Sequence, residues 1–393
     1  TVTYPDYVGT SVREQVDQFF ENSNGYVGSP DLSKKSAIDN MVTAYEANPT
    51  EEAYQEILTA MNAAVVTLQE GKWYRLENTA RPSYKMLVPA QRVRDNVTYA
   101  AFTGTDLNEK TADQLWQFKK SGDNWLIYNG NYNCYISESK AKYLYAEQTD
   151  EAGAGAYDIT SESTGISLLR SVNPTNSSIP YLHMAGEGNL VAWTAAESAS
   201  QWYIEPVADI KADVPEGGYA TVCYPFAVSI LESVQVYAAK AVKEAASDMA
   251  YLYANGGFAE GTLKAGTPAV IKAEAGTQTF AIASDIEGTA DDNALTGVLA
   301  AASYAEGTNY VINAAGTAFV KAAATGTAAA NTAYLPAALD VEELPFTFTY
   351  TGIRNLNVQD GGNAAPVYDL SGRRVQKAEK GIYITSGKKQ LVK

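Results

Sequence analysis

Three stretches of the chain close on one pattern, an aromatic residue, a variable one and an apolar one. They are Leu115-Trp116-Gln117-Phe118, Ala156-Tyr157-Asp158-Ile159 and Gln201-Trp202-Tyr203-Ile204. Trp116 and Tyr157 are 41 residues apart, and Tyr157 and Trp202 are 45 apart. A matching opening precedes each close: Trp73-Tyr74-Arg75-Leu76, Trp125-Leu126-Ile127-Tyr128 and Ile166-Ser167-Leu168-Leu169. Self-similarity at a period near 40 means one small unit built three times. The alternation of apolar and polar residues makes that unit a set of short β-strands. The expectation is a threefold β region over residues 71–208.

The remainder of the chain is too long for that unit to be the whole molecule. At 393 residues it should hold several domains, because one core rarely grows past about 250–300 residues. Residues 1–70 read as a helical bundle. Val12, Val16, Phe19 and Phe20 share one helical face, and Ile38, Met41, Val42 and Tyr45 share another. Tyr54, Ile57, Leu58, Met61, Val65 and Leu68 keep the helical rhythm for four turns, from a Thr50 cap to a stop at Gly71. Residues 209–352 are rich in Ala, Gly and Thr. There, Gly261–Ile271 is echoed 65 residues later by Gly326–Leu335, a turn before an apolar strand in each copy. With Tyr219–Val228, Val234–Ala239, Thr277–Ile282 and Asn309–Ile312, this predicts a β-sandwich of short strands. Residues 353–393 end in three predicted strands with turns at Ser371-Gly372 and Ser386-Gly387. The fold class expected is therefore mainly β and multidomain.

Three resemblances follow from these motifs. Gln114 stands two residues before Trp116, and Gln201 stands beside Trp202. This resembles the Gln-x-Trp signature of ricin-type β-trefoils, which implies a sugar-binding module over 71–208. The Ala/Gly/Thr-rich stretch resembles an accessory β-domain of secreted Bacteroidetes proteins. The tail, Val367-Tyr368-Asp369-Leu370-Ser371-Gly372-Arg373-Arg374-Val375, then Lys380-Gly381-Ile382-Tyr383-Ile384 and a Lys-rich end, resembles a type IX C-terminal sorting tail. That tail and the accessory domain imply an exported protein, extracellular or on the outer cell surface. The trefoil match departs from its family in two respects, the first being that the second repeat has lost both the Gln and the Trp of the signature. The second is that the positions after the apolar pairs hold Val88, Ser137 and His183, where ricin-like repeats place Asp.

Sugars bind through flat aromatic faces and planar polar groups in shallow pockets. The closing aromatics Trp116, Tyr157 and Trp202 read as core. The candidate ligand-binding residues lie between strands: Tyr128, Asn129, Asn131 and Tyr132 in the second repeat, and Glu187, Asn189 and Trp193 in the third.

Other chemistries find little support. His183 is the sole histidine, so any Ser-His-Asp or Cys-His triad must use it. Two distant cysteines, Cys134 and Cys223, make neither a disulfide framework nor, with one His, a zinc site, and are expected as free buried thiols. Asp291-Asp292-Asn293 lacks the ligand spacing of a calcium loop. No nucleotide-binding glycine loop or nucleophile elbow is present, and no cofactor is expected. A net charge of −16 disfavours nucleic acid and anionic lipid as partners. No run of 18 apolar residues makes a membrane span. The chain begins at Thr1 without a signal-peptide pattern, as a mature or trimmed chain would. The expected function is a non-catalytic, secreted or cell-surface carbohydrate-binding protein, its partner a glycan or surface polysaccharide. The alternatives are an adhesive surface protein with the trefoil as scaffold, or an accessory fragment of a larger glycan-degrading enzyme. The sequence carries no signal for assembly state.

Overall fold

The computed structural model describes residues 11–94, 96–106, 111–140, 143–243, 247–253, 261–286 and 293–348, together with four short tail strands. The architecture is mainly β, and among the described residues the α-helices are confined to the first 63 positions. Helices α1 (Val12–Glu21), α2 (Lys35–Ala47) and α3 (Glu51–Ala63) enclose Val16, Phe20, Ile38, Val42 and Ile57. Ser11 begins α1 with a reciprocal capping box to Glu14, and the Thr50 hydroxyl accepts from the Ala53 amide at the start of α3.

The third helix is shorter than its apolar rhythm predicts. It ends at Ala63, and Val65 and Leu68 lie in extended chain. The Val65-Val66-Thr67 run is β-branched and disfavours continuation. Its backbone also finds other partners. The Val66 amide donates to Ser29 O at 2.8 Å, and Val66 O accepts from the Gly28 amide at 2.8 Å. Val27 and Leu68 then pack against the core of the threefold region.

That region contains twelve strands in three sets of four. The first set is β1 (Trp73–Asn78), β2 (Met86–Arg94), β3 (Val97–Thr105) and β4 (Trp116–Ser121). The second is β5 (Asn124–Asn129), β6 (Cys134–Lys140), β7 (Tyr143–Gln148) and β8 (Ala156–Ser163). The third is β9 (Ile166–Ser171), β10 (Tyr181–Met184), β11 (Leu190–Trp193) and β12 (Gln201–Val207). The outer strands of each set close a six-stranded barrel: β1 pairs β4, β4 pairs β5, β5 pairs β8, β8 pairs β9, β9 pairs β12 and β12 returns to β1. The inner strands form three hairpins whose edges meet in a triangular cap, through Ala101 with Tyr145, Val191 with Tyr143, and Thr103 with Asn189. A six-stranded barrel capped by three hairpins is a β-trefoil.

The register identifies the equivalent residues. Tyr74 faces Trp116, Trp125 faces Tyr157, and Ser167 faces Trp202. Leu76, Ile127 and Leu169, each two residues on, are fully buried at the centre. The middle opening is therefore displaced by one residue from its reading in the sequence, where Trp125 was set against Trp73. A one-residue slip would turn every β5 side chain to the opposite face, so the barrel core decides the alignment.

Only Ala208 separates β12 from β13 (Asp209–Val214). Beyond it lie two copies of one pairing scheme. The first copy has β14 (Tyr219–Val222), β15 (Ala227–Ser229), β16 (Gln235–Lys243), β17 (Asp248–Tyr253), β18 (Thr262–Leu263) and β19 (Ala269–Lys272), followed by β20 (Gly276–Ala283). The second has β21 (Thr296–Val298), β22 (Ala302–Ser303), β23 (Asn309–Ile312), β24 (Ala318–Lys321), β25 (Thr327–Ala328) and β26 (Thr332–Pro336), followed by β27 (Glu343–Thr347). The pairings β14–β19, β15–β18, β16–β17 and β16–β19 recur as β21–β26, β22–β25, β23–β24 and β23–β26. The echo at 65 residues is thus the trace of a duplicated six-strand unit, β14–β19 and β21–β26; the strand that follows each copy pairs differently, β20 with β13 and β15 and β27 with β17 and β24. The two copies join through β17 and β27, a parallel pair in a nine-stranded sheet. One face of that sheet packs on the four-stranded sheet β13-β20-β15-β18 around Ile210, Val228, Ile271 and Phe280. The other encloses Val270, Leu252, Tyr310 and Phe319.

The first of these cores runs on into the trefoil without a break. Trp73, Leu115 and Val207 belong to it, with the Trp73 ring 5.1 Å from Phe226. Gly130 permits the approach, since a Cβ there would lie 2.7 Å from both Pro225 and Trp73. Asn131 and Asn331 exchange amide hydrogen bonds across the junction at 2.7 and 3.5 Å. In the tail, β28 (Val367–Tyr368), β29 (Arg374–Val375), β30 (Gly381–Thr385) and β31 (Lys388–Val392) form a four-stranded sheet rather than three strands. The two expected tail turns, at Ser371-Gly372 and Ser386-Gly387, lie outside the described residues, as do Asp291 and Asp292.

Candidate functional site

The second-repeat candidates separate into buried braces and an exposed rim. Asn129 is fully buried. Its amide donates to Asp113 O at 2.8 Å and to Leu115 O at 3.2 Å, and its Oδ1 accepts from the Tyr132 amide at 3.1 Å. Asn78 holds the equivalent place in the first repeat, two residues after Leu76, and donates to Ala199 O and Gln201 O. Each asparagine clamps the short turn that delivers the closing tryptophan of the adjacent barrel strand, Trp116 for Asn129 and Trp202 for Asn78. Ligand contact was the expectation for Asn129 and Asn131. The structure turns both inward, because each fills backbone or amide valences that burial would otherwise leave empty. The signal was present in the sequence, where Leu76-Glu77-Asn78 matches Ile127-Tyr128-Asn129 once the openings are shifted by one residue. Gln114, of the Gln-x-Trp spacing, is likewise buried and accepts from Arg75 at 3.5 Å.

Tyr132 is exposed at the turn, and Tyr128 is half-buried. The Tyr128 ring has the Lys119 ammonium 4.3 Å from its centroid and the Tyr135 ring at 4.9 Å. Its hydroxyl donates to Asn133 Oδ1 at 3.1 Å. Lys119 is itself held by Glu151 at 2.8 Å and Tyr135 at 2.9 Å.

In the third repeat the hairpin β10–β11 separates what the sequence grouped. Met184 pairs with Leu190 beside the turn, and Tyr181 pairs with Trp193 at the far end. Glu187 is exposed at the turn and Asn189 half-buried there. Four residues of extended strand put Trp193 about 13 Å along from Asn189. They do not share one pocket with its indole. Gly188 explains the turn: its φ is +83°, and a Cβ there would lie 2.4 Å from the Tyr84 ring. The Gly188 carbonyl accepts from the Gly104 amide and the Thr103 hydroxyl, which ties the turn into the cap.

Trp193 has a different neighbour, which sequence reasoning missed. It is 37% exposed, the most exposed of the five tryptophans, and its ring lies 5.9 Å from that of His183. His183 is buried, with Nδ1 2.9 Å from Ser200 Oγ. The Ser200 hydroxyl donates to Thr194 O at 2.6 Å, so Nδ1 carries the proton and donates to Ser200. Nε2 is then a bare acceptor. Burial, with Arg81 nearby, lowers the His183 pKa and keeps the ring neutral. Period-two alternation places residues 181, 183, 191 and 193 on one face, which was the available signal.

Burial pushes the Cys134 and Cys223 thiols up to about 12, and both are free thiols in the interior. Asn293 donates its amide to Pro268 O. Among the described residues no cluster of three metal-ligating side chains occurs, and no helix is long and apolar enough to cross a membrane.

No family model matches the chain, and a search of curated proteins returns no match. Solved structures are similar over about a third of the chain. A ricin B-like lectin of Macrolepiota procera, in complex with lactose, is 16% identical, covers 36% of this chain and 99% of its own, and has a TM-score of 0.28. A Polyporus squamosus lectin bound to a sialylated influenza-binding epitope is 11% identical over 37% of this chain and 52% of its own, with a TM-score of 0.29. The designed threefold-symmetric protein ThreeFoil is 12% identical over 34% of this chain and 99% of its own, with a TM-score of 0.26.

Proposed function

We propose that the chain is a non-catalytic carbohydrate-binding protein that acts outside the cell and engages glycans through the third-repeat hairpin of its trefoil. The observation that carries this reading is the exposed Trp193 indole beside a neutral His183 whose Nε2 accepts. An aromatic face stacks on the apolar face of a pyranose, and a neighbouring acceptor takes a sugar hydroxyl. Lectin neighbours of the trefoil fit this assignment without supporting it by themselves. The non-catalytic part is supported by two thiols held protonated in the interior and a histidine committed to Ser200. Export is supported by the resemblances of the tail and of the Ala/Gly/Thr-rich domain alone. A glycan array with the purified chain tests the reading. Binding that Trp193→Ala weakens about tenfold or more, with an unchanged melting temperature, supports it, and the absence of any bound glycan overturns it. The scaffold alternative is favoured by the second repeat, where Asn129 and Asn131 brace the fold.

A further inference from the structure

We propose that the cleft where the helical region, the trefoil and the duplicated β domain meet is a second saccharide site, built for an uncharged oligosaccharide segment. This inference rests on the glycan-binding reading above. The cleft encloses about 780 Å³, within the usual range for ligand sites, and lies at a domain junction, where such sites concentrate. Gln69 comes from the segment after α3, Gln117 and Tyr128 from the trefoil, and Pro225 and Ser284 from the β domain.

Three features select a sugar. First, Tyr128 offers a fixed aromatic wall, its ring held by Lys119, Tyr135 and Asn133. Second, the Gln69 and Gln117 side-chain amides have no hydrogen-bond partner among the described residues, so donors and acceptors in planar pairs stand ready for hydroxyls. Third, the charges nearly cancel. Asp31, Glu70 and Asp285 line the cleft with Lys34 and Lys72. Glu70 and Asp285 accept from the backbone amides of Lys120 and Ile286 at 3.0 and 2.9 Å, and Asp31 from Ser33. An ion would find no dominant field, whereas a neutral polyol finds an aromatic face and paired amides. The cleft is also preorganised. The continuous core, the tight passage at Gly130 and the Asn131–Asn331 pair hold the trefoil and β-domain walls in place before any ligand arrives.

Calorimetric titration of the full chain with neutral gluco-, galacto- and xylo-oligosaccharides tests the proposal. The expected result is two sites per chain. Gln117→Ala and Tyr128→Ala each weaken one site about tenfold or more, and Trp193→Ala weakens the other. Gln117→Ala, at a half-buried polar position, keeps its melting temperature and guards against a folding effect of Tyr128→Ala. Affinity at the cleft changes less than about twofold between roughly 50 and 500 mM salt, because no net charge is neutralised. A single site, lost in Trp193→Ala and untouched by Gln117→Ala and Tyr128→Ala, overturns the cleft and leaves the glycan reading standing. A steep salt dependence overturns the uncharged class. Failure of every oligosaccharide to bind overturns both readings.

Discussion

The first and third trefoil repeats close on tryptophan, and the second closes on tyrosine. All three rings are buried in one core. Trp116 Nε1 donates to Leu87 O at 3.0 Å, and Trp202 Nε1 donates to Leu182 O at 3.0 Å, the same bond in two repeats. Tyr157 fills the third position with its hydroxyl in the interior, and that hydroxyl finds no hydrogen-bond partner among the described residues. Gly155 accommodates it, since a Cβ there would lie 3.2 Å from the Tyr157 ring and 2.9 Å from Ile136 O. The lesson is that aromatic volume is what the fold requires at these positions, and that the polar handle is a separate contribution which one repeat has lost.

The largest test of this comparison is truncation of the rings. Trp202→Ala and Trp116→Ala should each cost about 3–5 kcal/mol in denaturant unfolding, from lost packing and a stranded carbonyl. Tyr157→Ala should cost less, and an equal cost would break the distinction. Asn129→Ala should cost about 1–3 kcal/mol, matched by Asn78→Ala, because each removes the side-chain amide donor from two backbone carbonyls. Unequal losses would deny them an equivalent bracing role. Tyr157→Phe should stabilise by about 1 kcal/mol by removing a hydroxyl that burial leaves unpaired. A loss on that substitution would show that the hydroxyl has a partner after all.

Two smaller effects sharpen the third repeat. His183 has its folded-state pKa lowered below the ordinary 6.5 by burial and Arg81, with Glu197 and Glu187 opposing. The unfolded chain therefore binds this proton more readily. The contribution is fully present above about pH 6.5 and is lost as pH falls below it, ahead of the carboxylates. Melting temperatures between pH 7 and 5 should fall for the parent and stay flatter for His183→Gln. Trp193→Ala should change the melting temperature least, because its indole is partly in water. A melting loss on the scale of Trp202→Ala would place Trp193 in the core.

Much of the threefold plan was legible because closing aromatics recur at strand-alternating positions. The alignment of the middle repeat was not, since the shared leading Trp sets Trp125 against Trp73, and only burial shows that Leu76-Glu77-Asn78 and Ile127-Tyr128-Asn129 are the equivalent stretches. The end of α3 was hidden for a similar reason. Val65 and Leu68 keep the helical period, and nothing local reveals that Ser29 will take the Val66 amide. The duplicated β domain showed itself at Gly261 and Gly326, whereas the shared pairing of its remaining strands emerges only from the register, which sets Tyr237 and Tyr310 in the same place.

Apolar periodicity and the repeat of closing aromatics, properties of the sequence alone, determined that this chain builds helices first, then three like β units, then a domain with an internal echo. They also determined which rings are core, because burial of large apolar surface dominates the folding free energy and needs no particular partner. The tertiary structure decided the roles of the polar residues. Asn129 braces a turn 16 residues away at Asp113, Asn131 meets Asn331 across a domain junction, and Trp193 faces His183 instead of Glu187. Hydrogen bonds are directional and short-ranged, so a side chain's task is set by whichever valences the fold brings within about 3 Å of it.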